Sequence, residues 1–73
     1  SFTLEKSSDV VIDIYNLKGQ MVKSLLSERR DSGKHNVIWN GKDDRDNLVS
    51  SGIYLIKMKT EAGTFIKKAV LLK

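Results

Sequence analysis

Asp9-Val10-Val11-Ile12-Asp13-Ile14-Tyr15 decides the reading of this chain. On an extended backbone successive side chains point to opposite faces, so Val10, Ile12 and Ile14 share one face and Val11, Asp13 and Tyr15 the other. One apolar face and one mixed face make a half-buried β-strand. Asn16-Leu17-Lys18-Gly19 follows, and its glycine supplies the positive φ that a hairpin loop requires.

Outward from that strand the pattern is mostly β. Residues 20–30 are two-sided: Leu17, Met21 and Leu25, with Val22 and Leu26, stand at helical spacing and allow a short helix. The turn at Gly19 also allows a hairpin partner for strand 9–15. Residues 28–33 read as a charged loop closing on Gly33. His35, Val37 and Trp39 alternate with Asn36, Ile38 and Asn40 as another strand. A polar loop covers 41–51, rich in turn-forming residues. Tyr54, Ile56 and Met58 are in phase in a strand over 53–60, Glu61-Ala62-Gly63 makes a hairpin, and 64–72 returns as the last strand. Phe2–Leu4 begins the first. Short strands between turns, with no proline, repeat or linker, predict a single all-β domain over residues 1–73, folded as a sandwich.

Length and composition narrow the function. A chain of 73 residues buries only about 60% of the surface its unfolded form exposes. There is no cysteine for a disulfide, and His35 alone cannot build a zinc site. The net charge is 13 − 9 = +4, with a lysine-rich last third. It allows an anionic partner such as nucleic acid, a lipid headgroup or lipopolysaccharide, but an ordinary soluble surface is the expectation. Nucleic acid is not an expected partner. No apolar run approaches the ~18 residues of a transmembrane helix, so no transmembrane segment is expected. The start at Ser1, without methionine or signal peptide, suggests a piece of a longer protein.

The inventory of reactive groups argues against an enzyme and against a cofactor. One histidine, no cysteine and no Gly-x-Ser-x-Gly elbow give no nucleophile–base pair. Asp43, Asp44 and Asp46 crowd one polar loop instead of facing each other across a cleft. That loop has the oxygen-rich look of a calcium site, but it lacks the EF-hand's sixth-position glycine and twelfth-position glutamate, and an acidic turn is the expectation. Trp39 is expected in the core with its N–H bonded to one acceptor; a stacking platform for a sugar or base is the alternative. His35 reads as a solvated or partly covered imidazole and not as a ligand. Pairing Thr60 with Thr64 would set Lys59 opposite Phe65 and Lys57 opposite Lys67, the latter a mildly unfavourable facing of like charges. Ala69-Val70-Leu71-Leu72 is apolar on both faces, as in a strand that is either covered by its own domain or presented to a receptor.

Several pieces stand in a family's order: Val10–Asn16 with Gly19-Gln20 and Val22, Gly33 to Trp39-Asn40-Gly41, Ser51-Gly52-Ile53-Tyr54, and Lys67-Lys68-Ala69-Val70-Leu71-Leu72-Lys73. Over nearly its whole length the chain resembles the C-terminal sorting domains of the type IX secretion system. It also resembles the related immunoglobulin-like domain of the flagellar hook-capping protein. The resemblance implies an immunoglobulin-like antiparallel β-sandwich of six to seven strands, which argues against a helix at 20–30. It implies recognition by an outer-membrane secretion translocon and by a surface sortase, with a passenger domain upstream. Its functional pattern falls on Gly52 and Tyr54 and on the basic, apolar end, Lys68, Val70, Leu71, Leu72 and Lys73. The implied location is secreted or at the cell surface, after passage through the periplasm and outer membrane. Relatives often carry Pro or Ala at the position of Ser32 and Gly where Asp46 or Asn47 stands, and the family's Pro-Asn-Pro entry would fall upstream of Ser1. A sorting signal is the leading expectation, with a structural assembly module, or an accessory module of a secreted hydrolase, as the alternatives.

Overall fold

The alternating segment over residues 9–15 lies in the central strand. In a computed structural model that describes residues 2–72, Ser8–Tyr15 (β2) lies between Met21–Arg30 (β3) and Gly52–Thr60 (β5). Gly63–Leu71 (β6) pairs with β5, giving a four-stranded antiparallel sheet in the order β3-β2-β5-β6. Phe2–Leu4 (β1) and Gly33–His35 (β4) form a two-stranded sheet. Among the described residues there is no helix.

The alternation of β2 builds the core. Val10 and Ile14 are fully buried and Ile12 nearly so. Leu4 joins Val10 and Ile12 from the small sheet, and Phe2, Leu25, Leu26, Val37, Ile56 and Met58 pack against this cluster. Each large aliphatic side chain buried in this way contributes about 1.5–3 kcal/mol relative to exposure.

Met21–Arg30 is a strand, and its helical spacing has a structural cause. The β2–β3 register shifts between Ile12 and Asp13 and again between Ile14 and Tyr15. Each shift leaves one extra residue on β3: Leu25, between the partners of Ile12 and Asp13, and Val22, between those of Ile14 and Tyr15. The first bulge lets the consecutive Leu25 and Leu26 both pack on the core. Two bulges in ten residues therefore replace the period of two with a spacing that imitates a helix.

The expected charged loop at 28–33 is shorter, because β3 runs on to Arg30 and only Asp31 and Ser32 separate it from β4. The strand expected from His35 through Asn40 also ends early. Only Gly33–His35 is paired, opposite Phe2–Leu4. Residues 36–40 keep the expected alternation of exposure, with Val37 and Trp39 half-buried between exposed neighbours, but have no ladder partner among the described residues. Among the described residues the β1–β4 ladder ends at the Phe2–His35 pair.

Candidate functional site: the outer edge of the β5–β6 hairpin

The hairpin register follows from its turn. Thr60 pairs with Gly63, not Thr64, around the two-residue turn Glu61-Ala62, and Gly63 takes a φ of 141°. The shift by one residue removes the expected Lys57–Lys67 and Lys59–Phe65 contacts. Lys57 instead faces Ile66 on one side and Asp13 on the other, 6.0 Å from the centre of the Tyr15 ring. Opposite charges now sit across β2 and β5, where like charges had been expected across β5 and β6.

That register divides β6 between two faces. Met58–Phe65, Ile56–Lys67, Tyr54–Ala69 and Gly52–Leu71 point toward the small sheet; Lys57–Ile66, Leu55–Lys68 and Ile53–Val70 point away from it. Between the sheets the inner face leaves a cleft of about 540 Å³, reached by Phe2, Val37, Trp39, Met58, Phe65 and Lys67. On the outer face Ile66 and Val70 are more than half exposed, and Leu72 beyond them is 84% exposed.

The residues of the resembling family's pattern meet here, in different roles. Gly52 and Tyr54 are the cross-strand partners of Leu71 and Ala69. Tyr54 is buried, its hydroxyl donates to the Ser50 carbonyl at 2.7 Å, and its ring takes Trp39 edge-on at 5.1 Å. A tyrosine bonded back to the chain a few residues upstream is the corner device of immunoglobulin-like sandwiches. Leu71 is half-buried, its methyl carbons at the contact distance (3.4 and 3.5 Å) from where a Cβ on Gly41 would stand. Gly41 itself has a φ of 75°, which a residue with a side chain adopts only at a cost. Lys68, Val70 and Leu72 are exposed, and Lys73 falls outside the described residues. Ile66 and Ile53 belong to the outer surface and Phe65 to the cleft, and none of them was singled out as a site residue from the sequence.

Trp39 is half-buried, less covered than expected, because the segment that carries it is unpaired; its Nε1–H does find an acceptor, the Lys42 carbonyl at 2.9 Å. His35 is half-buried, stacked on Phe2 at 5.3 Å, with Nε2 2.7 Å from the Asp31 carbonyl.

The acidic loop does structural service. Asp43 Oδ1 accepts from the amides of Arg45 and Asn47, each at 2.9 Å, which closes the turn. Asp46 stands at φ 64°, in the left-handed region that favours glycine. Asp44 turns to β3: its amide donates to the Val22 carbonyl at 3.2 Å and its Oδ1 accepts from the Ser24 amide at 3.1 Å. The three carboxylates are thus directed to different tasks. The loop also covers the free edge of β3 at its bulge. Among the described residues no such cover pairs with the edge of β6, and β5 is its only ladder partner.

A four-stranded antiparallel sheet, a short covering sheet and a tyrosine corner define an immunoglobulin-like β-sandwich. The chain belongs to the FlgD Ig-like domain family, whose model matches residues 1–64. No curated protein and no solved structure matches it.

Proposed function

We propose that this domain is a non-catalytic structural module that joins the protein carrying it to a larger assembly. The family match over residues 1–64 carries this reading, since the resembling domain of the hook-capping protein belongs to an assembly of that kind. The exposed apolar face of β5–β6 supports it, because such a face at a sheet edge suits contact with another polypeptide. Deleting the domain from its parent protein tests it. The parent is expected to leave the high-mass fraction on velocity sedimentation of a native extract. Unchanged sedimentation would refute an assembly role.

A second reading, recognition by a secretion translocon and surface sortase, is favoured by one observation. Gly52 and Tyr54 adjoin the terminal strand through cross-strand pairs, and nearly all of that strand lies beyond the matched residues. A reporter fused to this chain, in a host with a type IX system, tests it. Surface delivery that disappears with Lys68→Gln and Lys73→Gln, at unchanged melting temperature, would support sorting. Delivery that survives deletion of residues 68–73 would eliminate it for this strand.

A further inference from the structure

We propose that the free edge of β6 takes up one extended strand of a partner protein, in which two consecutive acidic residues stand between apolar ones. The inference rests on the assembly reading for the existence of a partner and derives the partner's chemistry from the edge.

The occupant is a strand because the edge is a ladder with one side missing. β6 runs nine residues, Gly63–Leu71, and among the described residues pairs only with β5, so its second row of backbone donors and acceptors is open to another strand. The opposite edge of the sheet is closed at Val22–Ser24 by Asp44, so the two edges are not equivalent.

An added strand would send alternate side chains to the two faces of the sheet. Those on the inner face would enter the cleft beside Phe65, Lys67 and Ala69, whose other walls include Phe2, Val37 and Trp39. Those on the outer face would lie along Ile66, Lys68 and Val70, of which Ile66 and Val70 are 65% and 59% exposed. Apolar partners fit both ends. In the middle, Lys67 and Lys68 present one ammonium to each face, and β6 has no acidic residue to balance them. The hairpin over residues 52–71 carries 4 − 1 = +3 of the chain's net +4. One acidic side chain opposite each lysine meets that charge. A second copy of this chain fits worse, because antiparallel pairing centred on Lys67 and Lys68 sets lysine against lysine.

The test uses the 73-residue chain and a short blocked peptide with two glutamates between pairs of valines. The pattern reads alike in both directions, so strand orientation does not affect the outcome. Binding is followed by amide chemical-shift changes. Saturable shifts are expected along β6 and the cleft, with β3 silent. Methylating alternate peptide amides on the pairing side should abolish binding, and methylating the other set should spare it. The double substitution Lys67→Glu with Lys68→Glu should weaken binding about tenfold. A peptide with two lysines in place of the glutamates should restore it to that variant. Both positions are exposed, and a thermal melt verifies that the variant is folded.

No binding at millimolar peptide overturns the proposal, as do equal binding of both methylated peptides, shifts confined to β3, or self-association through β6. Binding to anionic phospholipid vesicles with none to the peptide also overturns it, by assigning the lysines to a lipid surface. Failure with the peptide, in a protein whose assembly still requires the domain, would remove this inference alone. Assembly that survives loss of the domain would remove the functional reading itself.

Discussion

Removing the Tyr54 hydroxyl separates a structural corner from a recognition surface. In Tyr54→Phe the ring stays against Trp39, and the 2.7 Å hydrogen bond to the Ser50 carbonyl is lost. A net intramolecular hydrogen bond is worth about 0.5–1.5 kcal/mol, and Ser50 is exposed enough for water to replace the lost donor, so about 1 kcal/mol is expected. For a domain of this size that lowers the melting temperature by about 4–8 °C. Tyr54→Ala also removes a ring that is only 6% exposed, together with its edge-on contact to Trp39, which raises the cost to about 3–5 kcal/mol. A domain of 73 residues has a total stability of about 4–11 kcal/mol, so the alanine variant should be partly or largely unfolded at 37 °C. Urea titration read by the fluorescence of Trp39, the only tryptophan, and by circular dichroism gives both values. A phenylalanine variant as stable as the parent, beside an alanine variant that loses less than about 1 kcal/mol, would refute the corner.

Three further substitutions probe the frame. Ile14→Ala empties a fully buried position on β2 and should cost about 2–5 kcal/mol by urea titration; a smaller loss would mean that the central strand does not anchor the core. Gly41→Ala forces a side chain into φ 75° against the Leu71 methyl groups and should cost about 1–2 kcal/mol, with loosened hydrogen exchange at the end of β6. Asp46→Gly should raise the melting temperature slightly, since φ 64° suits glycine and the Lys42–Asp46 ion pair at 3.6 Å is exposed, whereas Asp46→Val should lower it.

The strands with clean alternation were legible in the sequence. The inward face of β2 and the in-phase Tyr54, Ile56 and Met58 of β5 require only the period of a pleated strand. What alternation cannot supply is the number of residues in a turn or a bulge. Two bulges disguised Met21–Arg30 as a candidate helix, and one residue at the Glu61-Ala62 turn moved every pair of the last hairpin. Residues 36–40 keep the alternation of a strand without a pairing neighbour among the described residues, and pairing is a property of the whole sheet. The same limit explains the site. The apolar and basic character of Lys67 to Leu72 was plain from composition. That Leu71 closes on Gly41, while Val70 and Leu72 stand in solvent, depends on register.

Site-specific photo-crosslinking in the intact parent protein, in its own cell, tests the central claim most directly. A crosslinking side chain at Ile66, 65% exposed beside the free edge of β6, is compared with one at Met21, 52% exposed on the opposite edge strand. The account predicts that Ile66 joins a second polypeptide, that the adduct disappears when Lys67 and Lys68 are both reversed to glutamate, and that Met21 gives none. Adducts from Met21 with none from Ile66, or an Ile66 adduct indifferent to the two lysines, would contradict it.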